Sequence, residues 1–317
     1  MYKIIIWLIS MQILTIWWIA LYAENFFVWN GKITELRQAP WQYSFINPLL
    51  ECWIDIEYNN TRRIQREVNN YIQEVIWEGR ADNISYFVRV LNNQWTFWYD
   101  FDREYTPASL IKLPLAMAVV KNIPLELLSE TVIIWDDLEV LQRNIWDEKT
   151  QIWWEYTIRE LIENMLIYSD NIATEALFLL LWDDIINTVY RDLNLDPIDF
   201  DNMHSGNISP KQYAWFFRIL YNASYIWHNR SEYILRVLSW SDFKDGISWS
   251  IPKFIRVSNK FWERSYIDSA EKQLHDCGII YAQNSPYVIC IMTSWDDHQN
   301  LSDIIKEISS IIYTQLL

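Results

Sequence analysis

Three short groups of residues combine types that can turn a hydroxyl into a nucleophile. Ser109-Leu110-Ile111-Lys112 sets a serine and a lysine three positions apart. On a helix, positions i and i+3 share a face, so the amine can reach the hydroxyl. A serine attacks poorly until a neighbour takes its proton. A lysine whose charge is disfavoured by burial or by nearby cations can take it. A serine at a helix start also sets its own backbone N–H near a developing oxyanion. The second group is Ser169-Asp170-Asn171, directly after an amphipathic stripe at 158–166. Alone it reads as an ordinary helix N-cap. The third is Lys260-Phe261-Trp262, at the end of a strand-like run from Ile255 to Asn259. Each group alone has a commonplace explanation; their order and setting do not.

The elements that must position these groups follow from periodicity. Residues 61–77 predict an amphipathic helix with Ile64, Val68, Ile72 and Ile76 on one face. Strands are predicted at Ser85–Leu91 and Thr96–Phe101 from β-branched and aromatic content. A helical block follows over 109–121, 157–168, 171–181, 210–222 and 231–239. Ile158, Leu161, Ile162, Met165 and Leu166 make its clearest stripe. Strand signals return at Ile255–Asn259, Gly278–Ala282 and Tyr287–Met292, and a last helix covers 301–316. Segregated blocks of this kind predict an α+β fold. It has an antiparallel sheet flanked by N- and C-terminal helices, with an inserted helical subdomain.

Residues 4–22 are almost wholly apolar and just long enough to span a bilayer. They predict a signal anchor or signal peptide within 1–23, which places the rest outside the cytoplasm, membrane-anchored or secreted. Residues 24–60 read as a tether or arm, and 61–317 as the folded domain. The net charge is −15 and the basic residues form no stripe, so nucleic acid is not an expected partner. Cys52, Cys277 and Cys290 are an odd set with no zinc spacing. The plain reading is buried thiols, with a bridge from Cys52 to either of the others left open. No cofactor or metal is expected. His275-Asp276 resembles part of a relay, but neighbours on a strand point to opposite faces.

One feature of the composition is abnormal: 20 Trp and only 5 Gly. A chain of this length usually carries about 22 Gly, close to the two types taken together. The tryptophans also stand where glycines belong. Trp153-Trp154 precedes a helix start, Trp182 follows a helix end, and Trp95 and Trp98 flank a strand turn. This predicts UGA codons that the source organism reads as glycine. With glycine at 262 the third group becomes Lys-Phe-Gly, and a strand edge that lets substrate backbone approach needs that glycine.

The three groups together resemble the S-x-x-K, S-D-N and K-T-G set of class A β-lactamases and penicillin-binding proteins. Tyr105-Thr106-Pro107-Ala108-Ser109-Leu110-Ile111-Lys112 is similar to the family's nucleophile segment. Tyr168-Ser169-Asp170-Asn171-Ile172-Ala173-Thr174 is similar to its S-D-N-x-A segment. Leu274–Tyr281 is similar to the strand after the lysine box, and the resemblance runs over roughly 62–317. It implies a serine hydrolase acylated at Ser109 by a β-lactam or related amide. Lys112 would be the general base, and Ser169 would relay a proton to the leaving nitrogen. Asn171 would bind the substrate's side-chain amide, and Lys260, counted among the catalytic residues, would supply positive charge for the substrate carboxylate and for the relay. The backbone N–H groups of Ser109 and Glu263 would form the oxyanion hole.

Two departures stand out. Phe261 replaces a hydroxyl-bearing residue. Residues 192–212 lack the Glu-x-x-Leu-Asn loop that activates the deacylating water, leaving Asp196, Asp199 and Asp201 as the only carboxylates after the one at 192. The alternatives are therefore a D,D-peptidase acting on cell-wall peptides or a catalytically weak peptide-binding member.

Overall fold

The computed structural model describes residues 33–37, 43–54, 61–92, 95–134, 149–181, 185–198, 207–265 and 270–316. The apolar run at 4–22, Trp182, Asp199 and Asp201 lie outside these residues. Among the described residues no helix is long and apolar enough to cross a membrane.

Helix α1 (Thr61–Trp77) forms where its spacing predicts, but its fourth buried residue is Val75, and Ile76 is exposed. A step of three rather than four keeps the stripe on one side of a 3.6-residue turn. Strands β3 (Asn83–Val90) and β4 (Thr96–Tyr99) follow. They join β7 (Val257–Ser265), β8 (Lys272–Ile280) and β9 (Tyr287–Trp295) in one antiparallel sheet ordered β4-β3-β9-β8-β7. Strands β8 and β9 are buried almost throughout, because both faces of the sheet are covered.

Alternation along the strands sorts side chains into two cores. On one face Tyr86, Val88, Ile289 and Ile291 pack with α1 and with the C-terminal helix α8 (His298–Leu316). On the other, Phe87, Val288 and Met292 pack with the helical block. That block contains α2 (Lys112–Asn122), α3 (Ile158–Ile167), α4 (Asn171–Leu180), α5 (Ile185–Asp192), α6 (Pro210–Tyr221) and α7 (His228–Leu238). The fold is the predicted α+β arrangement.

Four details differ from expectation. First, β7 extends to Ser265, so Lys260-Phe261-Trp262 lies in mid-strand rather than at a strand end. Nine register pairs with β8 hold this polar segment extended. Second, Cys277 and Cys290 are bonded to each other. They are direct partners in the β8–β9 ladder, so their side chains project to the same face. Third, the arm carries a two-stranded pair, β1 (Ile33–Arg37) with β2 (Leu49–Ile54). Between these strands the Glu232 carboxylate of α7 accepts hydrogen bonds from the backbone N–H groups of Ser44, Phe45 and Ile46. Fourth, a short pair, β5 (Thr131–Ile133) with β6 (Glu155–Thr157), enters α3 through a capping box of Thr157 and Glu160.

Candidate active site

Ser109 sits in a single 3₁₀ turn, Ala108–Ile111, that runs directly into α2. Tyr105 and Ile208 exchange backbone hydrogen bonds just before it. The Tyr213 hydroxyl donates to the Leu110 carbonyl at 3.0 Å from within the helical block. In a 3₁₀ turn residues i and i+3 stand almost one above the other, which aligns Ser109 with Lys112. Ser109 is half-exposed, whereas Lys112 is buried.

The Lys112 amine is turned toward the 169–171 segment. Nζ donates to the Ser169 carbonyl, to Ser169 Oγ at 3.1 Å and to Asn171 Oδ1 at 2.8 Å. An ammonium has three protons to donate, and three oxygens meet it. Ser169 has φ +61°, a left-handed backbone that side chains adopt at a cost. That conformation lies where α3 ends and α4 begins.

Its neighbour Asp170 is the anchor. Asp170 is buried, caps α4 by accepting from the Ala173 N–H at 2.7 Å, and accepts from the Thr150 N–H at 2.6 Å. Thr150 in turn accepts from Asn164 of α3 through its hydroxyl. The N-cap reading of this motif holds at Asp170, while Ser169 and Asn171 on either side of it face the Lys112 amine. Thr150, Asn164 and Tyr213 brace the site and escape sequence reasoning. Only the polarity of Asn164 on an otherwise apolar stripe hints at one of them.

Lys260 approaches from β7, which packs against the Ser109 turn. Its register partner is Cys277, so it faces the helical block. The side chain is fully buried, and its Nζ has no hydrogen-bond partner among the described residues. Burial and then the positive charge of Lys112 hold the Lys260 amine well below the usual lysine range, against the pull of Asp276.

Trp262 lies on the same face, almost fully buried, with its ring 4.5 Å from that of His275. Phe261 and Glu263 project to the opposite face. The Phe261 ring stacks on Phe243 at 4.2 Å and is not brought to the Lys112 cluster, and Glu263 is exposed. His275 and Asp276 divide in the same way. His275 accepts from the Thr293 N–H on the inner face, and Asp276 accepts from Asn259 Nδ2 and the Ile247 N–H on the outer.

Asp196 is exposed in the segment after α5. Among the described residues no cluster of His, Cys, Asp or Glu could hold a metal ion. What the arrangement offers is a half-exposed serine with one lysine held in a polar network and another stripped of water.

The chain matches the beta-lactamase enzyme family over residues 67–316. No curated protein matches its sequence. Among solved structures, the TLA-1 extended-spectrum β-lactamase is similar at 16% identity, covering 81% of this chain and 99% of that one, with a TM-score of 0.71. A β-lactamase from Chitinophaga pinensis aligns at 16% identity over 79% of this chain and 100% of its own, with a TM-score of 0.70. PBP-A aligns at 17% identity over 80% and 96%, with a TM-score of 0.66. At these identities the structures establish a shared fold.

Proposed function

The chain belongs to the β-lactamase enzyme family and is a serine hydrolase of that type; on this premise we propose that Ser109 is its acylated nucleophile. The observation that carries the reading is the convergence of Lys112, Ser169 and Asn171 one turn from Ser109. Ser109 Oγ attacks the amide carbonyl carbon as its proton passes to a neutral Lys112. The backbone N–H groups of Ser109 and Glu263 receive the oxyanion. As the C–N bond breaks, the proton moves through Ser169 Oγ to the leaving nitrogen. Water then attacks the ester and frees Ser109. Asn171 binds the substrate's side-chain amide, and Lys260 pairs with its carboxylate. The substrate is a β-lactam or a cell-wall peptide. The missing Glu in 192–212 favours slow release, the behaviour of a penicillin-binding protein.

Residue 262 decides whether substrate can enter. The Trp262 indole fills space between β7 and His275 beside the nucleophile turn, and a glycine would vacate it. We propose that Trp262 and many other tryptophans are recoded glycines. Trp153 has φ +67°, where glycine is favoured and a bulky side chain is an outlier. Trp77 at the end of α1 is 88% exposed and Trp227 75%, unlike a residue that normally buries most of its ring. Peptide mass spectrometry of the native protein reads these positions directly; Trp at both 153 and 262 would end the idea. The Cys277–Cys290 bond, with the apolar run at 4–22, supports an extracytoplasmic, membrane-anchored or secreted enzyme.

The test is the intact mass of the protein carrying Trp262→Gly after exposure to a penicillin, beside the same protein with Ser109→Ala. We expect one adduct that needs Ser109, and its decay rate separates turnover from stable acylation. A folded protein that forms no adduct, or one that persists without Ser109, would overturn the assignment.

A further inference from the structure

We propose that a cavity of about 1000 Å³ at the N-terminal end of β7 binds a phosphate-bearing ligand. It is separate from the acylation site: neither Ser109, Lys112, Ser169 nor Lys260 lines it. Its wall gathers Arg236 from the end of α7 with Lys244, Lys253 and Arg256 from the loop that leads into β7. Among the described residues no carboxylate lines it.

That is an anomaly in a chain with 41 acidic and 26 basic side chains. Like charges drawn to one concave wall repel, and low-dielectric walls focus their field on whatever enters. Among the described residues none of the four cations forms an ion pair. Their hydrogen bonds are to neutral groups, although Arg236 also lies in the field of the Glu163 carboxylate and Lys244 in that of Asp276. Lys244 donates to the Ser241 carbonyl, and Arg256 donates to the Ser44 carbonyl and lies over the Phe45 ring. Arg236 lies over the Tyr233 ring.

Two guanidiniums and two ammoniums suit a group with several anionic oxygens. Phosphate has this property, and arginine grips it with paired N–H donors. The cavity exceeds one phosphate, so the ligand carries an appended group. Trp240 and Trp249 line the cavity too; glycine at either would widen it and leave the four cations in place.

A phosphate ester free in solution and a lipid headgroup share this chemistry. The test uses the full chain in neutral detergent at constant ionic strength, following the thermal midpoint. One arm titrates glycerol phosphate and the other a short-chain phosphatidylglycerol. The comparison protein carries Arg236→Gln, Lys253→Gln and Arg256→Gln, all exposed positions. We expect a saturable rise in midpoint with at least one probe, weakened by about tenfold or more in the triple variant. A response to glycerol phosphate assigns a free phosphate ester; a response to the lipid alone assigns a headgroup. If neither probe shifts the midpoint, or if the triple variant responds like the parent, the proposal fails. Should the triple variant not fold, Arg256→Gln alone must weaken the same response, and an unchanged response would equally sink it.

Discussion

Two lysine amines serve the site from opposite sides, and their surroundings differ in kind. Lys112, on the helical side, meets three oxygens supplied by a stretch of only three residues. Lys260, on the strand side, is fully buried and meets none among the described residues. The helical side is complete without a ligand: one capped helix start presents every acceptor the ammonium needs. The strand side is incomplete. A buried ammonium without an acceptor is costly, so burial and the Lys112 charge weaken its hold on the proton. An incoming carboxylate would oppose that shift and favour the charged amine. One lysine is therefore held as a charged donor that must give up a proton before it can accept one from Ser109, and the other is left open for recognition.

Lys112→Met tests the larger claim. It removes the proton acceptor and strands three oxygens, so acylation by a penicillin should slow by about 10²–10⁴-fold. Stopped-flow acylation rates, taken on protein with Gly at 262, give the answer. A rate within threefold of the parent would make the network structural and erase the contrast.

The strand side carries a second contrast, between the two faces of β8. Burial pushes Asp276 up to about 7 from 3.8, against the pull of Asn259 and the Ile247 N–H. The folded state thus holds a proton that the unfolded chain releases. This stabilisation is complete below about pH 3.8 and is lost as pH rises through about 7. Burial pushes His275 down to about 3 from 6.5. Its contribution is complete above pH 6.5 and is lost as pH falls toward 3. Between roughly pH 4 and 6.5 the two slopes oppose, each worth on the order of 4 kcal/mol over its full range. Asp276→Asn should leave a protein that weakens on acidification, and His275→Gln one that weakens toward neutrality. Urea midpoints at several pH values measure both, and parallel pH profiles for the two variants would refute the assignment.

Lys260→Met sharpens the comparison of the lysines. Removing an amine that has only the Phe261 ring and no hydrogen-bond partner should raise stability by about 1–3 kcal/mol. Acylation by a carboxylate-bearing substrate should fall by about tenfold to a hundredfold, the worth of a hydrogen bond to a charged group. Lys112→Met should move both quantities down. Calorimetry and acylation rates on the two variants would separate the sides; a stability loss for Lys260→Met would show that its amine has a partner after all.

How legible the molecule is in its sequence follows the same division. The helical side is local, and its signals are local: the stripe of α3, the Ser-Asp-Asn cap and the Ser-x-x-Lys spacing. The strand side is long-range. Asn259, Lys260, Glu263, Arg264 and Ser265 show no alternation, so β7 is visible only as a short apolar beginning, and pairing with β8 supplies the rest. The disulfide depends on β8 and β9 lying in a register that no spacing rule reveals. Helix α5 was readable in principle, since Ile186, Val189 and Tyr190 share a face, but eight residues are few against a polar background. The anchoring of the arm by Glu232 joins residues 186 to 188 positions apart and leaves no sequence trace.

The smallest effect separates backbone cost from chemistry on the helical side itself. Ser169 accepts from Lys112 through both its carbonyl and its hydroxyl, while its φ of +61° suits glycine. Ser169→Gly keeps the carbonyl acceptor and removes the hydroxyl. If the strained conformation is maintained by the Asp170 cap, glycine should relax it and raise stability by about 1 kcal/mol. If Ser169 Oγ relays the proton, acylation should nevertheless slow. A variant that is more stable and slower would show that the left-handed turn is kept for its hydroxyl. A variant that is less stable would show that the Lys112–Oγ bond outweighs the backbone cost, and the helical side would then owe its order to Lys112 rather than to its cap.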